Sequence, residues 1–147
     1  MLKIYVDADA CPVRDEVVRV AQRHELRTYM VSDGGIRPFP EKLIELVVVA
    51  PGADAADDWI FEKIGPGDIL ITSDILLADR CIKNGAVALK PTGDVLEEKN
   101  IGSAVASRNL MAGLREAGET RGGPRPFTKN DRSRFSNSLE SLVCQAK

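Results

Sequence analysis

The stretch that decides the fold is Lys3-Ile4-Tyr5-Val6-Asp7-Ala8-Asp9-Ala10-Cys11-Pro12. Residues 2–6 make a short apolar run of the kind found in buried strands. Pro12 suits the first turn of a helix, where its missing N–H would have no partner anyway. Both carboxylates therefore fall on a strand-to-helix loop. In an open α/β sheet that edge is where ligands bind. Two neighbouring carboxylates repel each other when both are ionised. A divalent cation is one remedy and a hydrogen-bonded loop is another.

Outward from this stretch the pattern repeats. Strands are expected at 2–6, 27–31, 46–50, 68–72 and 86–89, and helices at 12–24, 53–64 and 75–84. Near-continuous apolar strands separated by helices indicate a parallel sheet covered on both faces. Right-handed crossovers make this a three-layer α/β sandwich. Gly65-Pro66-Gly67 and Asn84-Gly85 mark helix-to-strand turns, with Gly85 at a helix C-terminus. After Leu89 no further strand is expected. A helix at 101–117 would bury Val105, Leu110, Met111 and Leu114. A Gly/Pro-rich loop follows at 118–127, and Thr128 with Asp131 resembles an acidic capping box. The last helix carries Phe135, Leu139, Leu142 and Val143 as an apolar stripe. That stripe should pack back on the domain or pair with a second subunit as a homodimer. The expectation is one domain over 1–147, with a sheet core in 1–93 and C-terminal helices in 94–147.

Composition fits an ordinary folded domain. The 147 residues are 44% hydrophobic and 29% charged, with aromatics at only 5%, so Val, Ile, Leu and Ala must fill the core. A net charge of -2 argues against coating nucleic acid by bulk charge, though a local basic patch remains compatible. Three scattered cysteines, Cys11, Cys81 and Cys144, form no CxxC and suit a reducing compartment. No apolar run is long enough to span a membrane and no charged leader precedes one, so a cytoplasmic protein is expected. His24, the single histidine, excludes His-rich zinc sites and reads as a surface residue near a helix C-terminus. Cys11 stands at a predicted helix start, where a dipole would favour thiolate. Without a CxxC or a base other than His24, a buried small residue is the preferred reading.

Asp7 and Asp9 have company. Asp54, Asp57 and Asp58 open a helix in Pro51-Gly52-Ala53-Asp54-Ala55-Ala56-Asp57-Asp58-Trp59. Asp74 follows the fourth strand in Ile71-Thr72-Ser73-Asp74, and Asp79 lies on the next helix. With strands in the order 3-2-1-4-5, Asp7 and Asp74 converge at the topological switch point. Carboxylates converging without histidine suit Mg²⁺ or Mn²⁺. Helix capping alone accounts for any one of Asp54, Asp57 or Asp74, but a DxD exceeds what one cap needs. A basic counterpart lies between Arg108 and Arg134, where seven basic residues face three acidic ones. Arg108, Arg121, Arg125, Lys129 and Arg132 are candidates for nucleic-acid phosphate contacts. Two surface helices with solvated charges would give the same composition.

Four motifs in order resemble the YaiI/YqxD family of uncharacterised bacterial proteins. They are Asp7-Ala8-Asp9-Ala10-Cys11-Pro12-Val13, Pro51-Gly52-Ala53-Asp54-Ala55-Ala56-Asp57, Gly67-Asp68-Ile69-Leu70-Ile71-Thr72-Ser73-Asp74, and Gly122-Gly123-Pro124-Arg125-Pro126-Phe127 followed by Asp131-Arg132. That family is similar to PIN-like domains, α/β sandwiches whose carboxylate clusters bind Mg²⁺ or Mn²⁺ and often cut RNA. The resemblance implies Asp7, Asp57 or Asp58, and Asp74 as metal ligands, with Asp79 a fourth and Asp9 unassigned. This chain departs from the family at Lys90-Pro91-Thr92-Gly93, where relatives usually carry Asn-Pro-Arg-Gly.

Three functions compete at this point. The first is a metal-dependent ribonuclease (a hydrolase) using Asp7, Asp57 and Asp74, assisted by Asp9, Asp58 or Asp79. The second is a non-catalytic RNA- or protein-binding module. The third is a haloacid-dehalogenase-type phosphatase with Asp7 as nucleophile. Its final acidic pair should follow Lys90, whereas Asp57-Asp58 precedes it.

Overall fold

The computed structural model describes residues 2–34, 39, 41–51, 53–116 and 127–146. Its centre is a six-stranded sheet in the order β3-β2-β1-β4-β5-β6. The strands are β1 (Ile4–Asp7), β2 (Thr28–Ser32), β3 (Ile44–Val48), β4 (Ile69–Ile71), β5 (Val87–Leu89) and β6 (Val95–Leu96). The first five run parallel, and β6 pairs antiparallel with β5. The helices are α1 (Arg14–His24), α2 (Ala53–Lys63), α3 (Ile75–Lys83), α4 (Glu98–Glu116) and α5 (Lys129–Ala146).

The apolar runs become central strands because both faces of the sheet are covered. Ile4, Val6, Met30, Ile69 and Ile71 point to one face, where Val17, Val20 and Ala21 of α1 meet Phe135, Leu139 and Val143 of α5. Tyr5, Val31, Leu70 and Ala88 point to the other, against Ile60 of α2, Leu77, Ala78 and Cys81 of α3, and Ile101 of α4. The expected α/β sandwich and its core order are therefore present. Helix ends also follow the sequence. Gly85 takes φ +92° after α3, close against Pro66.

The differences have local causes. β1 extends to Asp7, so the first aspartate belongs to the strand end itself. A short 3-10 turn, Ala8–Ala10, then delays α1 to Arg14, two residues past Pro12. The sheet continues past residue 93 through β6, contrary to the expectation that strands stop after Leu89. The turn before it closes by Lys90 N–H to Asp94 O (2.9 Å) and Gly93 N–H to Lys90 O (2.9 Å). Gly93 has φ +94°, and a Cβ there would lie 2.8 Å from the Arg134 carbonyl carbon. Two residues are too short a strand to leave a periodic signal.

Leu110 was expected in the core but is 65% exposed. It lies nine residues after the buried Ile101, two and a half helical turns, so it faces the opposite side. Val105 is half-buried, while the side chains of Met111 and Leu114 lie outside the described residues. On α5 the apolar stripe closes onto the chain's own core. Thr128 and Asp131 cap that helix reciprocally: Thr128 N–H donates to Asp131 Oδ2 (3.0 Å), and Asp131 N–H to Thr128 Oγ1 (3.2 Å). No described helix is long and apolar enough to cross a membrane.

Candidate active site

β1 is flanked by β2 and β4, and the chain leaves β1 toward β2 through α1. The carboxyl ends of β1 and β4 thus frame the switch point where ligands bind in such sheets. Asp7 ends β1 there, half-buried. Thr72, just past β4 and almost fully buried, donates its hydroxyl to Asp7 Oδ2 at 3.1 Å. The Thr72 hydroxyl oxygen in turn accepts the Asp74 backbone N–H at 3.0 Å. Asp74 is the N-cap of α3, its Oδ1 accepting from Leu76 N–H and Leu77 N–H. Asp57 reaches the same edge from the second turn of α2.

Two of these carboxylates, Asp7 and Asp57, are shifted by burial and by neighbouring charge. Burial pushes the Asp7 carboxyl above its ordinary value; the Thr72 hydroxyl opposes this, and the charges of Asp74 and Asp9 add to it. Asp57 is pushed up to about 6, first by burial and then by the charges of Asp74 and Asp7, with Arg80 opposing. Among the described residues, neither Asp7 nor Asp74 forms an ion pair with a basic side chain.

The other aspartates are drawn off. Asp9 accepts the Ser32 hydroxyl and the Asp33 backbone N–H (3.0 Å), clamping its loop to the end of β2. Asp58 pairs with Arg80 at 3.4 Å, and Asp79 with Lys83 at 3.1 Å. Of the basic candidates, Lys129 is exposed as the first residue of α5. Arg132 donates to the Pro12 carbonyl (2.6 Å) and to the buried Glu16 carboxylate (3.3 Å), and stacks over Phe127. The basic start of α5 therefore sits beside the loop that follows Asp7 and Asp9. Arg121, Arg125 and the side chain of Arg108 lie outside the described residues.

The donor set at the switch point is all carboxylate oxygen, the chemistry of Mg²⁺ or Mn²⁺ sites. Asp7, Asp57 and Asp74 do not close to within 4.8 Å of one another; among the described residues that spacing occurs at His24, Glu140 and Cys144. Mg²⁺ usually keeps several waters and takes one or two carboxylates directly, so it does not require all three to close on it. A groove of about 420 Å³ lined by Val95, Glu97, Asn137 and Leu142 contains none of the aspartates. The aspartates sit instead on the open edge of the sheet.

Thr72 is the residue that sequence reasoning about the metal overlooked. Its signal was the Thr72-Ser73-Asp74 run directly after a buried strand, where a hydroxyl can tie two loops. Cys11 is buried and its thiol is pushed up to about 11, mainly by burial, so it is protonated at neutral pH. His24 is less exposed than expected, with 12% of its side chain accessible and Nε2 lying 2.7 Å from Glu140 Oε1.

Comparison with known proteins agrees with the four motifs. The family model described as uncharacterised, YaiI/YqxD family, matches residues 5–145. The chain belongs to the YaiI/YqxD family. A UPF0178 protein of Rhodopseudomonas palustris (strain TIE-1) is 54% identical, covering 97% of this chain and 90% of its own. One from Parvibaculum lavamentivorans is 53% identical over 97% and 94%, and one from Roseobacter denitrificans 50% over 99% and 97%. No solved structure matches the chain. Membership in the YaiI/YqxD family carries no assigned reaction, so chemistry must be argued from the aspartates.

Proposed function

We propose that this YaiI/YqxD protein is a divalent-metal-dependent phosphodiesterase acting on RNA in the bacterial cytoplasm. One observation carries the reading: at a sheet switch point the charge of Asp74 acts on both Asp7 and Asp57, that of Asp7 acts on Asp57, and Asp7 and Asp74 have no basic partner among the described residues. Such an arrangement is poorly compensated without a cation. Asp7, Asp57 and Asp74 would hold Mg²⁺ or Mn²⁺. When bound, the ion supplies Lewis-acid chemistry, polarising a phosphate oxygen and acidifying a water.

The chain's own residues do the rest. Thr72 orients Asp7 and fixes the start of the Asp74 loop through one hydroxyl. Asp57, raised by burial and by the charges of Asp74 and Asp7, is the carboxylate that a cation would relieve most directly. Lys129 supplies positive charge for the phosphate backbone, and Arg132 braces the adjoining loop. Three free thiols suit a reducing compartment.

The test is cleavage of a mixed RNA panel with Mn²⁺ by wild type and Asp7→Asn. Loss of cleavage in the variant supports the proposal, and equal activity overturns it. The roles of Asp74 as a helix cap and Asp9 as a loop clamp favour one other reading, a binding module. Calorimetry separates the two. Mn²⁺ binding abolished by Asp7→Asn supports the enzyme, and absence of Mn²⁺ binding supports the module.

A further inference from the structure

A second cluster of metal-ligating side chains lies at the other end of the molecule. His24 is the last residue of α1, and Glu140 and Cys144 are one turn apart on α5. In a parallel sheet the crossover helix returns to the amino ends of the strands, so this cluster is on the edge opposite Asp7. One ligand atom from each of the three lies within 4.8 Å of the others. His24 Nε2 is 2.7 Å from Glu140 Oε1, and Arg23 Nη1 donates to Glu140 Oε2 at 3.1 Å. Arg23 thus fixes the carboxylate with Oε1 turned to the imidazole. Both helices are held rigidly, α1 by Val17, Val20 and Ala21 and α5 by Phe135, Leu139 and Val143.

We propose that His24, Glu140 and Cys144 form a Zn²⁺ site, distinct from the aspartates in both position and chemistry. One nitrogen, one oxygen and one sulfur donor suit a borderline cation such as Zn²⁺, whereas Mg²⁺ prefers oxygen alone. Bond lengths of about 2.0–2.3 Å place tetrahedral ligand atoms roughly 3.3–3.8 Å apart, so Nε2 and Oε1, 2.7 Å apart, would part to admit the ion while the Cys144 sulfur comes into that range. Side-chain rotation of Glu140 and the exposed Cys144 supplies that movement. The ion takes the lone pair of neutral imidazole, Glu140 Oε1 and the Cys144 thiolate. The thiol proton, and the imidazolium proton where present, pass to solvent. Water completes the tetrahedron on the exposed side. The ion would tie the end of α1 to the end of α5.

The test titrates the reduced full chain with Co²⁺, which reports sulfur ligation by a thiolate charge-transfer band in the near ultraviolet. The expected result is one equivalent of Co²⁺ giving that band and being displaced by Zn²⁺. Asp7→Asn retains the band. Cys144→Ser, an exposed and conservative change, and His24→Ala both abolish it. Zn²⁺ should also raise the Tm of wild type and leave that of Cys144→Ser unchanged. Absence of the band in wild type, or its survival in Cys144→Ser, overturns the proposal. Cleavage of RNA by the aspartate site plays no part in this readout.

Discussion

Thr72 and Asp7 are joined across the centre of the sheet by a hydroxyl-to-carboxylate bond of 3.1 Å. Strands β1 and β4 are paired in parallel with Val6 opposite Ile71, so Asp7 at the end of β1 lies beside Thr72, the residue just past β4. The Thr72 oxygen then receives the Asp74 N–H. One buried hydroxyl therefore sets both acidic loops.

Thr72→Val keeps the shape and removes the hydroxyl. The Asp7 carboxylate loses the bond that opposes its upward shift, and the Asp74 N–H loses its acceptor. Stability should fall by about 1–2 kcal/mol. Mn²⁺ binding should weaken and become more sensitive to acid, because Asp7 then protonates at higher pH. Thr72→Ser should restore both. Denaturant unfolding and Mn²⁺ calorimetry at pH 6 and pH 8 check this.

Gly93→Ala should be among the most damaging small substitutions in the chain. Its φ of +94° disfavours any Cβ, and the Cβ would meet α5 backbone at 2.8–3.0 Å. Ser138 donates to the Gly93 carbonyl at 2.8 Å from the next turn of the same helix. The nearest atoms are the Arg134 carbonyl and Cβ, fixed parts of the helix rather than the far end of a flexible side chain. A loss of about 2–3 kcal/mol is expected, from the strained φ and the forced separation together. Thermal unfolding measures it, and a Gly102→Ala control in open helix surface should be neutral or stabilising.

These two positions mark what the sequence could and could not tell. The strand order was legible because apolar runs and helix starts alternate with the spacing of crossover units. The convergence of Asp7 with Asp74 followed from that order alone. β6 was not legible, since two residues carry no period; only the Thr92-Gly93-Asp94 turn hinted at it. The division of labour among the aspartates was also hidden. Asp9 and Asp58 look as functional in sequence as Asp7 and Asp57. Their partners, Ser32 and Arg80, lie more than twenty residues away and meet them only through tertiary packing.

Arg132→Ala should destabilise the chain through a residue that composition marks only as basic. Glu16 is buried, and Arg132 is the α5 side chain that reaches it, at 3.3 Å, while also donating to Pro12 O. Arg19 approaches Glu16 only at 4.0 Å from an exposed position. Removing Arg132 strands much of a buried charge, at about 1–3 kcal/mol. Glu16→Gln in the same background should recover part of the loss. A double-mutant cycle by urea unfolding checks it, and additivity of the two changes would refute the coupling.

Asp57→Asn should stabilise the chain, the opposite of most substitutions at partly buried polar sites. The folded chain holds the Asp57 carboxyl at about 6, above its ordinary 3.8. A raised carboxyl favours the protonated form in the folded state, so the ionised form opposes folding. That opposition is complete above pH 6, fades as pH falls from 6 toward 3.8, and is absent below. Asp57 is half-buried, so solvent screens part of the effect, and a Tm gain of about 1–3 °C at pH 8 is expected. The gain should shrink to nothing by pH 4. Mn²⁺ should reverse the ranking at pH 8, since a cation relieves the repulsion in wild type and finds one carboxylate fewer in the variant. Thermal scans at pH 4, 6 and 8, with and without Mn²⁺, test both halves. A variant less stable than wild type at pH 8 without metal would mean that Asp57 is a satisfied structural carboxylate rather than one held in reserve for an ion.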